Sequence, residues 1–464
     1  MSNTNKLANK LQAFEPYPNS IQQDLFQPEY WQTLAIDILR EAEILGASSG
    51  EVELSVGKGF SVSSRLGEVE TVEYHQGKHI DITVYFGKRI GTASLSDTRW
   101  ESVQAAIQAA CHIARFTQED PCAGLADPSL LAFNYPTLEM TFPWDISVDQ
   151  AIELACTCEK ESLARDKRIV NSEGVSLSTG EGWQLYANSE QFMGYYASTH
   201  HSLSSVLVAK QDEEMQRDYA YTSSCDPALL LPISKLAEEA AEKTLRRLGA
   251  RRLPTQKAPV IFIAEEARHF LGTFLSAIAG GNLYRKSSFL LNQLGQTIFP
   301  SFLHLQEQPH LAKAAGSQPF DEDGVLTRPN VFVDGGILQS YAMGVYSARQ
   351  LGMQTTGNSG GVHNLMITPG QLDLTGLLKK MNKGLLVTEV MGPGVNLVTG
   401  DYSRGASGFW VEQGEIQYPV QEITIAGDLR NMYAHIVDVG TDVDLRGNIR
   451  TGSILIEEMM IAGA

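Results

Sequence analysis

The chain is predicted to be an α+β protein of two domains, and three observations carry that prediction. Helical apolar periodicities and runs of strand alternation are segregated along the sequence instead of interleaving as β-α-β units. A helix followed by a meander occurs twice, at about 31–116 and 147–222, which suggests an internal duplication in the N-terminal half. Beyond residue 250 the strand-like segments are punctuated by glycine, implying tight turns and close backbone approach.

Residues 1–28 read as a loose polar tail, lacking the continuous apolar core of a signal peptide or membrane span. Residues 29–250 are assigned to an N-terminal α+β domain and 251–464 to a C-terminal β-rich domain. In the first, Trp31, Leu34, Ala35, Ile38, Leu39, Ala42 and Leu45 follow helical spacing up to Gly46. Five short strands are then expected at 51–57, 60–66, 68–75, 79–86 and 89–95, with His75 and His79 flanking a Gln76-Gly77 turn. Thr98 with Glu101, and Ser147 with Gln150, have capping-box spacing ahead of two further helices. A second series of short strands is expected at 168–178, 182–188, 190–199, 203–210 and 216–222, then a helix over 234–248. In the C-terminal half a strand, Val260 to Ile263, runs into a helix over 265–279, with another helical piece beginning at Tyr284. Val331 to Ser340 reads as a hairpin around Asp334-Gly335-Gly336, and Asp373 starts a short helix bearing Leu374, Leu377, Leu378 and Met381.

A formal net charge of −18, without a Lys/Arg cluster, disfavours a nucleic-acid partner. Five scattered cysteines fit a reducing, cytoplasmic setting with no membrane association. Cys156 and Cys158 lie two apart on a helix and so cannot share a metal or a bridge.

The densest chemistry is Glu265-Glu266-Ala267-Arg268-His269 at the start of a helix. Zinc proteases place two histidines on one helix face with a glutamate as base, and a catalytic zinc takes three protein ligands. Here Glu265 and His269 leave one carboxylate and one imidazole a turn apart, so two acids complementing the helix dipole is the simpler reading. The loop TTGNSGGVHNL (355–365) has neither the spacing nor the lysine of a phosphate cradle, and His363 has no nucleophile partner recognisable from sequence.

Four segments taken together, YRKSSFLLNQLG (284–295), TTGNSGGVHNL, the glycine-rich TGDYSRGASGFWVEQGEI and the terminal GNIRTGSILIEEMMIAG (447–463), resemble the TldD/PmbA family. This is a metalloprotease family, also called the modulator of DNA gyrase family, and the sequence resembles its PmbA/TldE branch. The resemblance implies an α+β fold. TldD-type members carry His-Glu-x-x-x-His directly after the strand opening their C-terminal domain, and a cysteine near the C-terminus. The matching positions here are Glu265, Glu266 and Phe270, with His269 one residue away, and Thr451 stands at the cysteine position. Phe and Thr cannot replace imidazole and thiolate as zinc ligands.

The resemblance therefore implies a subunit that binds no metal itself and takes part in processing small or unfolded peptides. Zinc and the catalytic glutamate would come from a TldD-type paralogue, within a homo- or hetero-oligomer. It further implies a substrate-channel wall containing Asn358, His363, Asn364, Asp401, Ser403, Arg404 and Ser407. Two other functions remain open. The chain is a hydrolase in its own right, using a degenerate site at Glu265, Glu266, His269 and His363. Alternatively it is a non-enzymatic regulator binding DNA gyrase or toxin-antitoxin proteins.

Overall fold

A computed structural model describes residues 27–463; the expected loose tail, up to Phe26, lies outside the described residues. Helix α1 (Pro28–Ile44) opens with proline, whose missing N–H costs nothing in the first turn. It is followed by β1 (Ser49–Arg65), β2 (Glu68–Phe86), β3 (Arg89–Leu95) and α2 (Trp100–Phe116). The same order of helix, three strands and helix recurs in α3 (Val148–Leu163), β4 (Ile169–Asn188), β5 (Met193–Gln211), β6 (Glu214–Ser224) and α4 (Ile233–Leu245). The six strands hydrogen-bond in the order β3-β2-β1-β4-β5-β6. With its helices set against antiparallel and mixed sheets, the fold is α+β.

The strands differ from expectation in length. The breaks expected at Gly57-Lys58-Gly59 and Gln76-Gly77 are not turns, since β1 and β2 run through them for 17 and 19 residues. The pairs 168–178 with 182–188, and 190–199 with 203–210, likewise fuse into β4 and β5. Gly59 shows why: a Cβ there would sit 2.3 Å from the Thr179 carbonyl oxygen, so this glycine serves close approach of neighbouring strands. The β1–β2 hairpin turns at Leu66-Gly67, with φ of 53° and 78°, and both N–H groups donate at 2.9 Å to the fully buried Glu159. The capping box at Ser147 and Gln150 is formed. The one expected at Thr98 and Glu101 is not: α2 has Arg99 as N-cap, and Asp97 takes the Arg99 guanidinium and the Ser102 hydroxyl.

Contacts divide the chain into two compact units, and the sequence boundary at 250 falls inside the second. The first holds the described residues up to Gly57, Gln76–Gly124 and Trp183–Tyr195; its core packs Trp31, Ile38, Val103 and Ile107 against Val52, Leu54, Ile80 and Ile82. The second holds Lys58–His75, Leu125–Gly182 and everything described from Tyr196 on. There Ala155, Cys158, Leu236 and Ala240 of α3 and α4 cover Val175, Leu203 and Leu207.

The rest of the second unit contains, in order, β7 (Gln256–Phe262), α5 (Ala264–Ile278), α6 (Gly280–Tyr284), β8 (Leu305–Glu307), β9 (Asn330–Asp334), β10 (Ile337–Leu338), α7 (Val345–Gln350), β11 (Leu365–Ile367), α8 (Leu374–Met381), β12 (Gly384–Met391), β13 (Asp401–Glu412), β14 (Glu415–Asp428), α9 (Leu429–Ala434), β15 (Ile436–Val439), β16 (Ile449–Arg450) and β17 (Ile454–Ala462). The helical piece expected from Tyr284 ends there instead of starting there. Strands order as β14-β13-β12-β7-β17-β15, and an added β14–β17 pairing closes five of them on themselves, so those five leave no open edge. β7 is buried on both faces: Val260 and Phe262 point into the main core with α5, while Ile261 meets Leu377, Leu378 and Met381 of α8. α5 therefore leaves the middle of a closed, rigid sheet, and its first turn is fixed in place. Among the described residues no helix is long and apolar enough to cross a membrane.

Candidate functional site

Ile263 is the N-cap of α5 and offers no side-chain oxygen, so Glu265 and Glu266 face the positive end of the helix dipole. The two carboxylates have different surroundings. Glu265 accepts from Lys243 Nζ at 2.8 and 3.0 Å and from Arg446 Nη2 at 2.6 Å. Arg446 is itself paired with Asp444, bonds the Tyr221 carbonyl at 3.0 Å and lies over the Tyr221 ring at 4.3 Å. Burial alone would raise the Glu265 carboxyl, but Lys243 and Arg446 outweigh it and hold the group below the usual range. Glu265 is thus a structural anion joining α4, α5 and the segment before β16.

Glu266 has no such partner. Its Oε2 is buried without a hydrogen bond, and burial pushes the carboxyl up to about 7 despite the nearby Arg404 guanidinium. His269, one turn on, is exposed; burial of its ring edge and the charges of Arg268 and Arg404 hold its imidazole below the ordinary value. Phe270 is in the core. It stacks on Phe262 at 5.6 Å with planes 4° apart and meets Tyr433 at 4.7 Å. Thr451 is fully buried and its hydroxyl donates to the Gly452 carbonyl at 2.8 Å. Glu265 with both oxygens holding cations, an aromatic core residue and an internally bonded hydroxyl do not make a zinc ligand set. Among the described residues no three His, Cys, Asp or Glu side chains converge as metal ligands.

Beside this helix lies a cleft of about 560 Å³. Arg268, His269, Thr273 and Ser276 form one side and Arg404 and Asn448 contribute polar groups, over an apolar floor of Val395, Leu397 and Ile449. A second cleft of about 520 Å³ shares Ser276 and is lined by Gly280, Tyr284, Asp323, Tyr346, Asn358 and Ser359.

The sequence-derived channel residues separate in space. Arg404 lines the first cleft and Asn358 the second. His363 is buried, its Nε2 lacks a partner, and burial drives its imidazole down to about 4. Its backbone N–H and Asn358 Nδ2 both donate to Glu307, whose buried carboxyl is pushed up to about 7. Asn364 is fully buried with φ of 49° and ties together Gln308, Ser317 and Gly316. Asp401 and Ser403 are exposed, Asp401 accepting from the Thr399 hydroxyl, whereas Ser407 is buried. Sequence reasoning missed Lys243, Arg446, Asp444 and Glu307. Lys243 and Arg446 lie 22 and 181 residues from Glu265, beyond the reach of any local spacing rule.

Residues 50–114, 142–248 and 255–463 match the family models for domain 1, the central domain and the C-terminal domain of the PmbA/TldA metallopeptidases. Metalloprotease PmbA of Escherichia coli O157:H7 is 48% identical over 433 residues, covering 92% of this chain and 96% of that protein. A PmbA homologue of Haemophilus influenzae is 44% identical, covering 92% and 95%. The TldD homologue of the same organism is 26% identical over 203 residues, 41% of this chain and 42% of its own length. Among solved structures, a candidate modulator of DNA gyrase from Bacteroides thetaiotaomicron superposes with a TM-score of 0.89 at 28% identity, covering 94% of this chain and all (100%) of that one. TldE from Thermococcus kodakarensis shares the fold, with a TM-score of 0.78 at 19% identity over 93% and 100%. Three consecutive domain models and near full-length relatives lead to one assignment: the chain belongs to the PmbA/TldD family of metallopeptidases.

Proposed function

We propose that this chain is the PmbA/TldE-type subunit of a heteromeric peptidase, binding no metal itself, whose TldD-type partner supplies the zinc. The observation that carries the reading is the fate of the metal-helix positions. Glu265 is held by Lys243 and Arg446, Phe270 lies in the aromatic core and Thr451 is turned into its own backbone. Zinc in the partner would lower the pKa of a bound water and polarise the peptide carbonyl. This chain's residues bind and orient. The closed sheet fixes α5, the cleft along it presents Thr273, Ser276, Asn448 and Arg404, and the apolar floor of Val395, Leu397 and Ile449 receives an apolar side chain. Such a surface fits small or unfolded peptides. All five cysteines are free thiols, in keeping with a cytoplasmic assembly.

The test measures peptide cleavage by this chain alone, by a TldD-type partner alone and by the mixture. Cleavage that needs the mixture and is abolished by chelation is expected. Metal-dependent cleavage by the isolated chain at the rate of the mixture would overturn the reading and favour a self-sufficient hydrolase using Glu266 and His269.

A further inference from the structure

Arg404 differs from the other arginines around α5. Arg446 and Arg268 are consumed internally, Arg446 by Glu265 and Asp444, and Arg268 by the Tyr221 hydroxyl at 3.0 Å and Asp444 at 3.5 Å. Among the described residues no carboxylate lies within ion-pair distance of Arg404. Its Nε donates at 2.9 Å to the Gly392 carbonyl, in the turn between β12 and β13, and the guanidinium also hydrogen-bonds the buried Tyr402 hydroxyl, so two contacts set its plane. Arg404 lines the cleft, to which it offers its remaining N–H groups. A guanidinium oriented in this way presents a planar pair of donors, the geometry that matches one carboxylate.

The surroundings narrow the ligand further. Thr273, Ser276 and Asn448 offer hydrogen bonds suited to main-chain amides, and Val395, Leu397 and Ile449 offer apolar contact. Glu266 feels the charge of Arg404 without a hydrogen bond between them, and its Oε2 lacks a partner, so the arginine is not neutralised by this carboxylate.

We propose that the cleft between α5 and β13 is a carboxylate-binding site in which Arg404 receives the C-terminal carboxylate of a short peptide whose last side chain rests on Val395, Leu397 and Ile449. The inference rests on the reading of this chain as the peptide-binding subunit and adds the chemical class of the end that it holds. It is a property of the isolated chain.

The experiment titrates the full-length chain calorimetrically with an N-acetylated glycine-leucine-valine tripeptide as the free acid, with its C-terminal amide, and with an amide carrying glutamate in place of leucine. The free acid is expected to bind at least about tenfold tighter than the plain amide, the worth of a charge-assisted pair of hydrogen bonds. Arg404→Ala abolishes that preference and Arg404→Lys keeps a weakened one. Glu266→Gln, which removes the competing charge, strengthens binding of the free acid. Thermal melting of each variant confirms that it is folded. Equal affinity for acid and plain amide, no binding of either, or a folded Arg404→Ala chain that binds like the native protein overturns the proposal. The glutamate amide binding as tightly as the free acid keeps the carboxylate site but overturns its assignment to the peptide terminus. The cleavage assay is independent. A mixture that cleaves while the chain ignores the carboxylate sinks this inference alone, and a chain that prefers acids in a mixture that never cleaves sinks the functional reading alone.

Discussion

Lys243 Nζ bridges both oxygens of Glu265, at 2.8 and 3.0 Å, and so ties the end of α4 to the first turn of α5. The pair is mostly shielded, with side-chain exposures of 19% and 22%, and Arg446 completes it from the segment ahead of β16. Glu265 is thus the centre of an ion-pair network.

Removing Lys243 leaves Glu265 partly buried with Arg446 as its remaining cation. Lys243→Ala is expected to destabilise the fold by about 1–3 kcal/mol, less than the loss of every partner of a buried charge. Lys243→Met with Glu265→Gln removes the charges together and should recover part of that loss. Urea unfolding of the single and double variants measures it; costs that add within about 0.5 kcal/mol would mean that the pair is not coupled.

Phe270 makes the complementary prediction. Cutting it to alanine opens a hole between Phe262 and Tyr433 and should cost about 3–5 kcal/mol. Phe270→His buries an imidazole among aromatic rings, so the variant is expected to lose stability progressively as pH falls below about 6.5, where a histidine in the unfolded chain takes up a proton. Even Glu265→His with Phe270→His and Thr451→Cys should fail to hold stoichiometric zinc, since Lys243 and Arg446 still flank the first position. Elemental analysis of the purified triple variant gives the answer.

Glu266 gives a pH signature. Its folded carboxyl titrates at about 7 against 4.5 when unperturbed. Its contribution to stability is complete below 4.5, where both states are protonated, and is lost as pH rises toward 7 because the unfolded chain releases the proton first. Glu266→Gln should remove about 2 kcal/mol of that decline, allowing for solvent screening of a half-buried group. Glu307, likewise raised to about 7, and Asp321, raised by burial to about 8, keep the rest of the slope in place. Unfolding midpoints at pH 5, 6, 7 and 8 compare the two chains, and parallel curves would show that Glu266 does not titrate in this window.

Local signals carried much of this architecture. The strand before Ile263, the helix after it, the capping box at Ser147 and the cap at Asp373 were legible because each depends on residues within one turn. Strand length was not. Gly59 and Gly77 look like turn residues in a sequence window, and only the Thr179 carbonyl against Gly59 reveals that this glycine accommodates a neighbouring strand. The glutamate pair was found, but its division into a neutralised Glu265 and a Glu266 without a bonded cation depends on Lys243, Arg446 and Arg404, which the chain brings in from distant segments. Asn358, His363 and Asn364 are adjacent in sequence, yet their side chains are buried among the loops around Glu307 and Gln308.

The turn that orients Arg404 supplies a final prediction. Gly394 accepts a hydrogen bond from the Ser403 N–H at 2.6 Å, and a Cβ placed on it would lie 1.5 Å from the Ser403 carbonyl oxygen, which is backbone and cannot swing aside. Gly394→Ala must therefore push the β12–β13 turn away from β13, at a cost of about 3 kcal/mol. Because Gly392, whose carbonyl fixes the Arg404 guanidinium, sits in the same turn, the displacement should also release that side chain. The expected result is a chain that melts earlier and discriminates less between acid and amide peptides, although Arg404 itself is intact. Gly405 is the control: a Cβ there meets only Met391 atoms at 3.6 Å or more, so Gly405→Ala should leave both quantities nearly unchanged. If Gly394→Ala melted and bound like the native chain, the turn would be more compliant than its backbone contacts allow, and the orientation of Arg404 would have to come from elsewhere.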